Sequence, residues 1–281
     1  MANLLSGLAE LGLGNLEDVN IFEKPKKKEK EKPVAEIIEH EPEEKDFIFD
    51  KTITCPVCNS SFTAKTMKAN KCRAVGMDWD LKPIYAELDA VKYEVYLCPE
   101  CGYAALPQFF PRVTDTQARL IRENIGGKVQ LNVKNSDIYT YPEAYSRYKL
   151  ALASAVVKRS KSSEKAFICL KTAWVIRGYL ESLKREPGME SKIEELSMEE
   201  DEYLQNAYEG FSEARQTENF PMCGMDQLTV DYLLAALATR FERYDIASRL
   251  IATILTSRTA SERVKEKARV LKDEMLAKLR K

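Results

Sequence analysis

Apolar residues alternate with polar ones in short runs up to about residue 112, and then recur at helical spacing. Phe47 and Phe49 alternate with polar neighbours, as do Tyr93, Val95 and Leu97 in the run KYEVYLC. Phe62 and Met67 fall in another short, polar-rich candidate strand. A period of two at these lengths places one face of a strand on a core. Pro56, Asn59, Gly76, Pro83, Pro99 and Gly102 punctuate the segment. Residues 47–112 are therefore predicted to form a small β-rich module.

From 113 onward the pattern is helical. Thr114 and Gln117 fit a capping box, and Gly126-Gly127 stops that helix. A second helix starts near Pro142, with Tyr145, Tyr148, Leu152 and Ala155 on one face. A third runs from about Ser163 to Glu186, with Phe167, Leu170 and Trp174 in line, and ends at Pro187-Gly188. Ser197 and Glu200 form another capping box, ahead of a helix carrying Leu204, Ala207, Tyr208, Phe211 and Ala214. Two more helices are expected at 226–241 and 245–257, and a charged one closes the chain from about 260. In the last pair, Ala235, Ala238 and Ala247 allow close approach, with Leu234, Ile251 and Ile254 between them. This resembles one tetratricopeptide (TPR) unit, although Asp231 stands where that motif usually has Trp. Residues 113–281 are expected to be an all-α, TPR-like domain, and the fold class is α+β.

Residues 1–46 read as an appendage. Leu4, Leu5, Leu8, Leu11 and Leu13 approach helical spacing and suit a short docking helix. A lysine-rich block (Lys24 to Lys32) and a Glu-rich block (Glu36 to Asp46) follow. Such a polyampholyte lacks the apolar surface to order itself, so a flexible tether is expected.

Composition narrows the function classes. Hydrophobic residues make up 44% of 281, and 43 basic residues nearly cancel 44 acidic ones. The chain lacks the overall positive field of a typical nucleic-acid binder. It has no apolar run long enough to span a membrane, and its first residues lack the basic region of a secretory signal, so a cytoplasmic location is expected. The single histidine, His40, lies among Pro and Glu. Imidazole-dependent hydrolysis and most catalytic zinc sites are disfavoured accordingly.

Seven cysteines in that setting point to metal or free thiols. Cys55 and Cys58 frame CPVC, and Cys98 and Cys101 frame CPEC, with Gly102 next. Each Cys-x2-Cys turn puts two thiolates on one side of a tight loop, and two such turns complete a tetrahedral S4 site. Proline after the first cysteine fixes φ, and glycine after the last permits a positive φ. One structural zinc ion is expected; iron would use the same ligands. The intervening 39 residues exceed the common spacing, which is harmless if they form the module's own strands. Cys72 has Lys71 and Arg73 beside it, which favours a reactive thiolate, whereas a spare cysteine in a strand is usually inert.

The runs CPVCNSSFTAKTMKANKCRAVGMDWD, KYEVYLCPECGYAAL and LKTAWVIR together resemble an uncharacterised bacterial family known as domain of unknown function 2225, over about residues 47–260. The resemblance implies a zinc-ribbon-like head on a TPR-like helical body. Cys55, Cys58, Cys98 and Cys101 match its metal motif, and Asp78 and Asp80 match an acidic pair before the second knuckle. Cys72 matches no metal position. The resemblance implies no activity.

Other candidates divide by charge. Asp78 and Asp80 suit a turn at the surface, because no third ligand lies nearby in sequence. Residues 186–219 hold eleven acidic and two basic residues, and 258–281 hold nine basic and four acidic, so the two stretches can attract each other or a partner. Arg147, Lys171 and Arg177 fall on the first helix pair, where a TPR-like groove can clamp a peptide carboxylate. The favoured expectation is a zinc-stabilised scaffold that presents its helices to a protein or peptide. Nucleic-acid binding through the ribbon, with Phe62, Trp79, Tyr85 and Tyr93 stacking bases, is the alternative. An enzyme using Asp78, Asp80 or Cys72 is the third.

Overall fold

The computed structural model describes residues 42–128 and 136–280. The docking helix expected at Leu4 to Leu13, the charge blocks up to residue 41 and His40 lie outside the described residues. Pro42 to Lys281 forms one unit.

Three antiparallel hairpins open the described chain. The first joins β1 (Ile48–Thr54) to β2 (Ser61–Met67), with Ile48 opposite Met67 and Thr54 opposite Ser61. The second joins β3 (Ala74–Met77) to β4 (Pro83–Tyr85), and the third joins β5 (Tyr96–Leu97) to β6 (Ala104–Ala105). The strand expected through Tyr93, Val95 and Leu97 is shorter than its alternation implies. Ala90–Tyr93 closes instead into a 3-10 turn, and only Tyr96 and Leu97 pair with β6. The alternation still has a use. Val95 and Leu97 join the helical core, while Tyr96 and Cys98 join a second core around the cysteines. The third hairpin thus lies between two cores and buries both faces.

Among the described residues seven helices follow: α1 (Asp115–Asn124), α2 (Tyr141–Val157), α3 (Ser162–Leu183), α4 (Glu190–Thr217), α5 (Gln227–Arg240), α6 (Tyr244–Thr256) and α7 (Glu262–Leu279). The Thr114–Gln117 capping box starts α1, and an equivalent box at Thr140 and Glu143 starts α2. The expected start at Ser197 is not an end. α4 begins at Glu190, and Ser197 Oγ donates back one turn to the Ile193 carbonyl at 2.7 Å. Residues 190–196 are good helix formers, and the fully buried Leu196 anchors them in the core. A capping-box spacing inside a helix carries no boundary.

α3 is the central helix, with buried side chains around most of its circumference, as a helix packed between others must have. α2 and α4 pack against it, and α5, α6 and α7 continue the stack. Ala235, Ala238, Ala247, Leu234, Ile251 and Ile254 are buried between α5 and α6 as the spacing predicts. Asp231, the residue at odds with the repeat motif, is fully buried and held by Arg215 from α4.

Residue 112 is no seam. α1 contributes Ala118, Ile121 and Ile125 to the core around the cysteines, while Val91, Val95, Leu97, Ala104 and Leu106 enter the helical core. The acidic and basic stretches do not pair. Arg177, Lys149 and Arg240 meet acids of α4, and among the described residues no ion pair joins α4 to α7.

Candidate metal centre

Each Cys-x2-Cys pair is the turn of a hairpin, one between β1 and β2 and the other between β5 and β6. The two turns share one hydrogen-bond pattern. Cys55 N–H donates to the Ser60 carbonyl, and Asn59 N–H donates to the Cys55 carbonyl, both at 2.9 Å. Cys98 N–H likewise donates to the Tyr103 carbonyl at 2.9 Å, and Gly102 N–H to the Cys98 carbonyl at 3.0 Å. The equivalent residues Asn59 and Gly102 are left-handed, with φ of 62° and 73°. Glycine and asparagine tolerate that conformation best. The expectation at Gly102 holds, and Asn59 is its counterpart in the first turn.

The four Sγ atoms lie within 4.8 Å of one another. Cys55 and Cys101 sulfurs are 3.6 Å apart, as are those of Cys58 and Cys98. These separations far exceed a disulfide bond. Cys55, Cys98 and Cys101 are buried and Cys58 is half-buried. Val57 N–H points at Cys55 Sγ at 3.4 Å, and Ser60 Oγ lies 2.8 Å from Cys58 Sγ and 3.5 Å from Cys98 Sγ. Crowded thiols cannot all ionise alone. Hydrogen bonds from Cys101 and then Cys55 pull Cys98 far down, while those to Cys55 and Cys98, then burial, push Cys101 far up. Four converging sulfurs with this demand for positive charge fit a metal ion.

Sequence reasoning missed the supports of this centre. Ser60 stands two residues after the first pair and was legible as a polar neighbour. Arg122 of α1 was not: its guanidinium donates to the Val57 carbonyl at 2.6 Å, tying the first turn to the helix.

Of the insert between the pairs, β2 and β5 belong to the metal head. The β3–β4 hairpin turns away and docks on α3. There Arg177 is enclosed by three carboxylates, each at 2.8 Å: Nη1 on Asp78, Nη2 on Asp80 and Nε on Glu200. Asp80 is fully buried. Burial alone would pull the guanidinium down, but the Asp80 hydrogen bond and charge, then Glu200, push it up. Burial pushes Glu200 up against the pull of Arg177. Asp78 and Asp80 lie in the turn of the hairpin, as expected, with Leu81 N–H donating to the Asp78 carbonyl, but Asp80 is buried and both are tied to the helical body. Below them Lys82 meets Asp89 at 2.9 Å, and Tyr141 donates to the same carboxylate. Gly178 is required at this crossing, since a Cβ there would stand 2.6 Å from Asp89 Oδ2.

The residues expected to clamp a peptide are scattered and occupied. Arg147 stacks on Tyr139 at 4.0 Å, Lys171 is paired with Glu94, and Arg177 lies in the network just described. Cys72 sits in the loop before β3, and burial, then Glu87, push its thiol up. Cys169 and Cys223 are likewise raised by burial, to about 12.

Among the described residues no helix is long and apolar enough to cross a membrane. No curated protein and no solved structure matches the chain. One family does, over residues 48–275, spanning the cysteine quartet, the docked hairpin, α1 to α6 and most of α7. The chain belongs to the uncharacterised protein family conserved in bacteria, domain of unknown function 2225.

Proposed function

We propose that this protein is a zinc-stabilised scaffold that presents its helical surface, arranged in a TPR-like manner, to a protein or peptide partner in the cytoplasm. Zinc in a tetrahedral thiolate shell has bonds near 2.3 Å, hence sulfur–sulfur edges of about 3.8 Å, and the 3.6 Å separations fit it. A closed S4 shell leaves no position for substrate, so the metal acts as a clasp. The observation that carries the reading is the continuity of head and body. The β5–β6 hairpin buries one face in each core, and Arg177 fixes the inserted hairpin on α3. A clasp that holds the head therefore also rigidifies the face offered by the helices, which lowers the ordering cost of binding.

The aromatics expected to stack bases are engaged internally: Phe62 packs on Phe110, Tyr93 on Tyr139, Tyr85 in the core beneath β1, and Trp79 under Arg177. This favours presentation over nucleic-acid binding. The test is quantitative affinity purification of the tagged protein from its own cells, with and without prior chelation, beside oligonucleotide binding in a salt series. Metal-dependent recovery of a defined protein partner is expected. Steeply salt-dependent oligonucleotide binding would contradict the scaffold reading.

A further inference from the structure

Two cavities, of about 370 and 690 Å³, adjoin between the β3–β4 hairpin and the helices, sharing Met77, Arg263 and Lys267. The first is walled largely by apolar side chains, among them Leu81, Pro83, Phe167, Leu170 and Met225. Methionines in such a wall adapt to varied side chains. Beside the second, Ile84 and Val270 are 44% and 52% exposed, unusual for large apolar residues on one cleft.

Charge marks the junction. Arg263 and Lys267 lie one turn apart on α7, and among the described residues neither has an ion-pair partner. Lys267 Nζ stands 5.7 Å from the Tyr232 ring centre. Burial, then the like charge of Arg263, hold its ammonium below the usual range. Two of the acids on the second cavity are already held, Asp78 by Arg177 and Glu266 by Arg269. The third, Glu274, has no ion pair among the described residues, so two unpaired cations face one unpaired carboxylate. The junction is therefore short of one negative charge, with apolar space on both sides.

We infer that this cleft binds an extended peptide through an apolar side chain seated in the smaller cavity and an adjacent carboxylate between Arg263 and Lys267. The inference rests on the presentation reading and names its site. A peptide fits better than a single-chain amphiphile, because the unmet charge lies between the cavities. A fatty acid with its carboxylate there fills one cavity and leaves the other, with Ile84 and Val270, in water. The buried Trp174 in the smaller cavity's wall has an indole N–H with no partner among the described residues.

Both tryptophans of the chain line the cleft, Trp79 on the larger cavity and Trp174 on the smaller, so their emission reports its occupancy. The test is to pan a displayed library of random dodecapeptides against the full, metal-loaded chain. The selected peptides are then resynthesised for titration by tryptophan emission and anisotropy. The expected peptides carry an apolar residue beside Asp or Glu, shift the emission, and lose at least tenfold in affinity on R263E/K267E. Replacing their acid by Lys should restore binding to that variant, a rescue that mere structural damage cannot give. Circular dichroism checks that the variant folds. Peptides that bind without moving the emission, or regardless of the charge reversal, overturn the cleft assignment and leave the presentation reading standing. Binding by dodecanoate at this site with no peptide selected overturns the peptide assignment in favour of a lipid. No selection of any peptide and no dodecanoate binding overturns the cleft assignment, while the presentation reading stands or falls with the affinity purification.

Discussion

Removing the Arg177 guanidinium leaves three carboxylates without their shared cation, and their burial decides the consequence. Asp80 is fully buried, whereas the Asp78 side chain is 31% exposed. Breaking a buried, hydrogen-bonded pair from one side costs about 3 to 5 kcal/mol, because a charge is left unpaired away from water. An exposed pair is worth about 0 to 1 kcal/mol. Arg177→Ala is thus expected to lose about 3 to 5 kcal/mol and Asp78→Ala under about 1 kcal/mol. With a urea m-value of about 2 to 3 kcal/mol/M, the first loss moves the midpoint by about 1 to 2 M. Arg177→Lys should recover only part, since an ammonium cannot present the fork that engages all three acids. The assay is urea unfolding of the metal-loaded protein, read by circular dichroism and by tryptophan emission. Trp79 lies 5.2 Å beneath the guanidinium and senses the hairpin directly. Equal costs for Arg177→Ala and Asp78→Ala, or a loss below about 1 kcal/mol for the former, would refute the burial reasoning.

Gly178→Ala should destabilise by about 1 to 3 kcal/mol, because the new Cβ meets Asp89 and Tyr141 at 2.6 Å, while Gly76→Ala, whose Cβ meets nothing, should be nearly silent; thermal midpoints compare them. Glu143 caps α2, and although burial pushes its carboxyl up, the Thr140 N–H and the Ser136 and Thr140 hydroxyls hold it below the usual value. A lowered folded pKa gives stability that is full above the unfolded pKa of about 4.5 and is lost as pH falls through the folded one. The gap between wild type and Glu143→Gln in urea should therefore be open at pH 7 and closed well below pH 4.5. Cys72 should react slowly with iodoacetamide in the folded, metal-loaded protein, since burial raises its thiol pKa; labelling as fast as a free thiol, followed by mass spectrometry, would show an activated thiolate instead.

What was legible in the chain is what local rules encode. The quartet announces itself because two thiolates three residues apart, with Pro56, Pro99 and Gly102 shaping the turns, leave few other structures. The helices are legible through periodicity and through Thr114 and Gln117. The α4 start was misread because Ser197 and Glu200 have capping chemistry but spend it on Ile193 and Arg177. The pairing of Arg177 with Asp78 and Asp80 spans nearly a hundred residues, and charge carries no periodic signal to announce such a partner. The same holds for the close approach of Asp89 and Tyr141 to α3, which depends on Gly178 and which no strand pattern shows. Nor does the pattern at 113 reveal that α1 belongs to the core of the cysteines. A change of period marks a change of element, and a core can run through it.

The most direct test of the central claim is hydrogen exchange of the protein before and after complete metal removal by a strong chelator, with metal content measured alongside. One zinc per chain is expected. Its loss should release amide protection in residues 53–64, 96–110 and 115–125, because these segments supply the core around the cysteines, while the α5–α6 pair keeps its protection. Unchanged protection of both cysteine turns and α1 after the metal is gone would contradict the clasp.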